Sequence, residues 1–268
     1  MSKKPEIPVF DHPIIETHCH LDYLEGAALQ SALESAKAVK IERIITIGVS
    51  PDNLEAVMQL AQNHTQVWGT QGIHPHDAKD YSPLVDAQIR SNLQHPKMLA
   101  IGEIGLDYYY DHSDRAVQRQ VFESQLQIAI DLNRPVVIHT RDADEDTQAI
   151  LRNFVGSMQQ RGVIHSFTSS QALAEYCLGE GFCLGFNGIS TFKPAENVRE
   201  IISLTPIEQI LFETDAPYLT PVPYRGQKNE PKYLPFIVEQ VAKVKGLEVE
   251  ALLPQVWENS LRVFWGQT

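Results

Sequence analysis

Two histidines one residue apart, His18 and His20 in "IETHCHLD", share the chain with Glu103, His139, His165 and Asp215. Imidazole and carboxylate without thiolate suit zinc, manganese, iron or, with more oxygen, magnesium. These four histidines and two acids exceed what one four-coordinate metal needs. Two divalent ions bridged by a carboxylate would use them all. Such a pair clamps an attacking and a leaving oxygen and lowers the pKa of bound water toward ~7. Taken singly, a strand histidine often does no more than make a local hydrogen bond. The joint placement carries the inference, and it depends on the elements that hold the six.

Short apolar and β-branched runs recur at 14–20, 43–49, 66–73, 98–104, 135–140, 162–167, 182–187 and 210–215. Segments between them pattern as helix, such as 115–132, with apolar Val117, Phe122, Leu126 and Ile130. Strand and helix alternating eight times predict an α/β fold, a (β/α)8 TIM barrel. No Gly/Ser linker or low-complexity segment divides the sequence, so a single domain over 1–268 is expected. All six candidates fall at or near the C-terminal ends of predicted strands, where barrel enzymes keep their active sites. Strand alternation turns His18 and His20 the same way, into the barrel mouth, and sends Cys19 toward the helices as a packed thiol. The stretch 216–232 carries Pro217, Pro221, Pro223 and Pro231 after the last strand. It reads as a long loop on the active face.

Composition sets limits. The chain has 22 Lys and Arg against 34 Asp and Glu, a net charge of −12. That disfavours a broad electrostatic grip on nucleic acid, although bound cations can supply positive charge locally. Cys19, Cys177 and Cys183, with no CxxC pair, argue against a disulfide scaffold and for a cytoplasmic protein. "MSKKPEIPVF", with Lys3 and Lys4, lacks the apolar region of a signal peptide, and no apolar run is long enough to span a membrane. A monomer is expected.

The ordered motifs "THCHLD", "GIHPH" (72–76), "GEIGLDYYY" (102–110), "VVIHTRDA" (136–143), "IHSF" (164–167) and "LFETDAPYLTPVPYRGQKNEP" run nearly the whole length. In them the sequence resembles the TatD-type metal-dependent deoxyribonucleases of the amidohydrolase superfamily. The resemblance implies that His18, His20, Glu103 and Asp215 serve one metal and Glu103, His139 and His165 the other. Glu103 stands where the superfamily often has a bridging carbamylated lysine. It also implies that His74 contacts the scissile phosphate and that the ions are Mg2+, Mn2+ or Zn2+. Asp215 is then the general base and DNA the substrate, cleaved from 3′ to 5′ at single-stranded or frayed ends. Arg225, beside Gly226, could fork onto phosphate oxygens. His76, Lys193 and Lys228 are weaker candidates. One of Tyr108, Tyr109 and Tyr110 could stack on a base, while at least one packs in the core. Asp107 reads as a partner orienting a histidine. Glu213 reads either as a support behind the site or as a ligand for a third ion. Two departures stand out: Glu16 replaces the family's common aspartate, and "TSS" (168–170) replaces a nearby glycine. The rival readings are an ester hydrolase such as a D-aminoacyl-tRNA deacylase, or another amidohydrolase, because fold does not fix function. A binding module that has lost catalysis is disfavoured by the complete ligand set.

Overall fold

The computed structural model describes residues 5–266, so Lys3, Lys4 and the two extreme ends of the 1–268 span lie outside the described residues. Eight strands follow one another: β1 (Ile14–Cys19), β2 (Ile41–Thr46), β3 (Val67–Gln71), β4 (Met98–Asp107), β5 (Val136–Arg141), β6 (Gly162–Ile164), β7 (Cys183–Phe186) and β8 (Ile210–Phe212). They pair in sequence order, each parallel to the next. The helices are α1 (Gly26–Ala38), α2 (Leu54–Asn63), α3 (Pro83–Asn92), α4 (Arg115–Leu132), α5 (Asp144–Phe154), α6 (Gln171–Gly179), α7 (Glu196–Leu204), α8 (Leu234–Lys245) and α9 (Val249–Trp265). The architecture is a (β/α)8 barrel. Among the described residues no helix is long and apolar enough to cross a membrane.

The seam between β8 and β1 is closed by specific bonds. Thr17 Oγ1 donates to Phe212 O (2.8 Å), Asp215 N to His18 O (2.9 Å) and His20 N to Ala216 O (2.8 Å). Glu16, buried inside this seam, accepts the backbone N–H of both His18 (3.0 Å) and Thr214 (2.9 Å) on one carboxylate oxygen. One side chain thus ties together the two stretches that carry His18, His20 and Asp215.

Two apolar layers follow from strand alternation. Ile45, Ile47, Leu99, Val137, Val163, Cys183 and Leu211 pack with Val263 and Phe264 of α9. The larger layer, including Ile44, Val57, Ile101, Phe122, Ile138 and Leu151, lies between strands and helices. Helix α9 therefore plugs one end of the barrel. Two residues along from Val137, Val163 and Leu211 stand His139, His165 and Glu213, so the inward face turns polar toward the other end.

Strand lengths differ from the sequence pattern. β4 runs three residues past 104, to Asp107, placing Glu103 in mid-strand. β6 and β8 stop at Ile164 and Phe212, so His165 and Asp215 sit just beyond the pairing. The cause is local backbone geometry. Ser166 and Asp215 adopt left-handed conformations (φ 48° and 58°), which turn the chain out of the sheet as it leaves the barrel.

Candidate metal centre

Glu103 lies at the middle of the mouth, buried, with four imidazoles around it. His139 Nδ1 is 3.0 Å from Oε1, His74 Nε2 and His165 Nε2 are each 3.4 Å from Oε1, and His18 Nε2 is 3.4 Å from Oε2. Asp215 Oδ1 stands 3.4 Å from His20 Nε2 and 3.7 Å from His18 Nε2. The rings of His18 and His165 stack at 3.6 Å. Three overlapping triads result: His18–His20–Asp215, His18–Glu103–His165 and His74–Glu103–His139, with the donor atoms of each within 4.8 Å of one another. The structure thus brings all six sequence candidates together and adds His74 to the cluster, beside His139.

The electrostatics follow from burial opposed by neighbours. Burial alone would raise Glu103, but His165 and His74 beside it, with contacts from His139 and His18, hold it well below the usual carboxylate range. Burial opposes charge on His165, yet Glu213 and Glu103 outweigh it and push the imidazole up to about 10. His74 goes the other way: burial lowers it to about 4, so it is neutral near pH 7. Its Nδ1 accepts the His76 N–H (3.1 Å), which leaves its proton on Nε2, facing Glu103.

Behind these residues stands a layer that orients them. Asp107 Oδ2 bonds His139 Nε2 (3.1 Å) and His76 Nε2 (2.9 Å), while Oδ1 accepts the N–H groups of Tyr109 and Tyr110. Glu213 Oε1 accepts Ser166 N–H (2.6 Å) and stands 3.0 Å from His165 Nδ1, at hydrogen-bond distance but off the ring's N–H direction. Gly185 makes room for that carboxylate, since a Cβ there would lie 2.4 Å from Glu213 Oε2. Gly188 likewise permits the 216–232 loop to pass, because a Cβ would fall 1.9 Å from Leu219 O.

Two buried glutamines, absent from the sequence-derived candidates, also support the site. Gln118 on α4 accepts Asp107 N–H (2.8 Å) and donates to Asp107 O (3.1 Å) and Ser113 O (2.9 Å). Gln125, two turns on, bonds both the N–H and the carbonyl of Ile73, next to His74. A polar pair spaced by seven within an apolar helical stripe is the signal the sequence offers for them.

Other candidates lie elsewhere. Arg225 is exposed and lays its guanidinium over the Phe192 ring, 3.7 Å from its centroid, instead of reaching the cluster. Thr168, Ser169 and Ser170 line a groove of about 600 Å³ with Tyr108, Arg141 and the acidic start of α5. Ser170 also caps α6 by accepting Leu173 N–H. Tyr108 is partly buried against the core, whereas Tyr109 and Tyr110 are exposed.

The donor set fits divalent cations. Two ligand atoms each ~2.1 Å from a tetrahedral ion stand ~3.4 Å apart. The imidazole–carboxylate separations of 3.4 Å match that spacing and are too long for good hydrogen bonds. His18 Nε2, aimed into the cluster, is buried and lacks a hydrogen-bond partner among the described residues. Such a group is costly unless something else satisfies it.

With this geometry in hand, comparison with known proteins decides the lineage. The sequence model of the TatD-related DNase family matches residues 15–265. The chain belongs to that family. It is 37% identical over 252 residues to the uncharacterized metal-dependent hydrolase YabD of Bacillus subtilis, covering 94% of this chain and 98% of that protein. It is 34% identical over 238 residues to the 3′-5′ ssDNA/RNA exonuclease TatD of Erwinia tasmaniensis, covering 87% and 92%. Among solved structures, the TatD homolog YjjV of Escherichia coli K12 superposes with a TM-score of 0.87 at 26% identity, covering 94% and 97%. This TatD-family protein is therefore a metal-dependent hydrolase, with a buried histidine and carboxylate site suited to divalent cations.

Proposed function

We propose that the protein hydrolyses phosphodiester bonds of DNA as a 3′-5′ exonuclease acting on single-stranded or frayed ends, with two divalent ions (Mg2+, Mn2+ or Zn2+). The observation that carries this reading is Glu103, one buried carboxylate shared by two of the three donor triads. A bridging acid between two cations is the arrangement of an in-line displacement site. His18, His20, Glu103 and Asp215 would hold one ion, and Glu103, His139 and His165 the other. When bound, the ions neutralise phosphate charge and acidify water.

The chain's own residues do the rest. Asp215 is the most open acid of the group, at 14% side-chain exposure against 4% for Glu103. Burial would raise its pKa, but contact with His20 and the charges of His165 and His18 lower it, so it is an anion near pH 7. It orients the attacking water and takes its proton. His74 presents a neutral Nε2–H to a non-bridging phosphate oxygen. Water attacks phosphorus, the P–O3′ bond opens, and the departing oxygen is protonated from solvent. Arg225, on the 216–232 loop, meets a phosphate farther along the strand. Two hydrogen bonds brace that loop, from Val222 N–H to Thr191 Oγ1 (2.9 Å) and from Asn229 Nδ2 to Thr214 O (2.9 Å).

A substrate panel tests the reading against its rivals. Initial rates on bis-nitrophenyl phosphate and single-stranded DNA are compared with those on a D-aminoacyl-tRNA ester and a cyclic amide. Faster turnover of the phosphodiesters supports the proposal. Turnover confined to the ester or the amide refutes it.

A further inference from the structure

The barrel mouth is flanked by exposed tyrosines that the chemistry above does not use. Eight large apolar side chains are prominently exposed among the described residues. Four of them are Tyr23 (53%), Tyr109 (58%), Tyr110 (49%) and Tyr218 (50%). They fall into two pairs. Tyr23 and Tyr218 meet edge to face, their hydroxyls 3.1 Å apart, and both ring centroids lie about 6 Å from that of His20. Tyr109 and Tyr110 meet edge to face at 4.9 Å, and Tyr110 lies 5.3 Å from His76.

Each pair is tied to the site itself. Tyr218 N–H donates to Asp215 O (2.8 Å). The backbone of Tyr109 and Tyr110 hangs on the Asp107 oxygen whose partner oxygen orients His139. Arg141 lies over Tyr109 at 4.0 Å and over Tyr110 at 4.9 Å, steadying that wall with a cation on the rings. The rings are therefore preorganised, one pair beside His20 and Asp215, the other beyond His139.

We infer that these two tyrosine pairs are stacking walls for the nucleobases on either side of the scissile phosphate. The inference rests on the phosphodiesterase reading and adds to it how the substrate is held. A net charge of −12 disfavours a broad electrostatic grip on a strand. Base stacking supplies affinity without positive charge and tolerates any sequence. The substrate unit is then a dinucleotide step, one base on each wall.

The test uses the full-length, metal-loaded protein and single-stranded oligonucleotides bearing one abasic residue, at the 3′-terminal or the penultimate position. For the wild type each abasic substitution should lower kcat/KM about tenfold. In Tyr109→Ala the penalty at one position should vanish, and in Tyr218→Ala the penalty at the other. Tyr109→Phe and Tyr218→Phe, which keep the ring, should retain both penalties. Metal stoichiometry and thermal unfolding confirm that each variant is folded. Wild-type cleavage with abasic penalties that are absent, or the same in every variant, overturns the stacking walls alone. A wild type that cleaves no oligonucleotide overturns both the walls and the phosphodiesterase reading.

Discussion

Glu213→Gln isolates what the layer behind the ligands contributes. Glu213 is fully buried, bonds Ser166 N–H and faces His165 Nδ1 at 3.0 Å, while the far nitrogen of the same ring points at Glu103. Its carboxylate beside Nδ1 favours a proton there, so Nε2 is the nitrogen that gives up its proton when a cation binds. An amide at 213 keeps the shape but loses the charge. If its NH2 turns toward Nδ1, the tautomer flips and a proton occupies Nε2. Removing such an outer partner costs about 10- to 100-fold in metal affinity or activity, or about 1.4–2.7 kcal/mol. Gly185→Ala attacks the same contact from behind, because its Cβ would collide with Glu213 Oε2 at 2.4 Å. The assay is competition of Mn2+ or Zn2+ between the protein and a chelating dye, with initial rates at saturating metal. Both variants should weaken metal binding in the same range. Affinities within about twofold of wild type in both would refute the idea that Glu213 governs His165.

Further expectations follow from other residues. Asp215→Asn should keep the fold and lower kcat roughly 10²-fold or more on phosphodiesters, the loss expected of a general base; near wild-type turnover would place the base elsewhere. Burial raises Glu16 from 4.5 to about 8 in the folded chain. The folded state then keeps a proton that the unfolded chain releases above about pH 4.5. The stability tied to this group is full below that pH and falls, on the order of a few kcal/mol, as pH rises toward 8. Glu16→Gln, which keeps the oxygen that accepts His18 and Thr214, should show a flatter fall in Tm between pH 5 and 8 in metal-free protein; an identical profile would contradict this. DNA affinity should show a shallow log–log salt slope, about −1.5 to −3, from contact with ~2–4 phosphates, and Arg225→Ala should weaken binding without changing metal uptake. A slope steeper than about −5 would reveal an extended basic surface.

The barrel is legible in the sequence because its strands are short β-branched runs separated by amphipathic helices, and helix α4 spans 115–132 as its periodicity predicts. The cluster is legible because six metal-type donors recur at strand ends. What escapes is geometry set by tertiary contacts. Periodicity cannot show that His74, on a loop, reaches Glu103, since Gln125 of α4 positions that loop from the far side. Nor can it show that Glu213 faces His165, a contact that depends on the space left by Gly185 on the neighbouring strand. Loop position and charge point Arg225 toward phosphate, whereas its stacking on Phe192 depends on how two loops fold together. Strand pattern runs past the true ends of β6 and β8 because left-handed turns at Ser166 and Asp215 leave no mark in hydrophobicity.

The most direct test of the central claim is the fate of a single-stranded DNA oligonucleotide labelled at its 5′ end. It is incubated with protein first stripped by chelator and then given Mg2+ or Mn2+. The stripped sample should show no cleavage, and adding metal should give a ladder of 5′-labelled products shortening stepwise from the 3′ end. Cleavage in verified metal-free protein, or an intact oligonucleotide under every metal while an aminoacyl ester is hydrolysed, would contradict it.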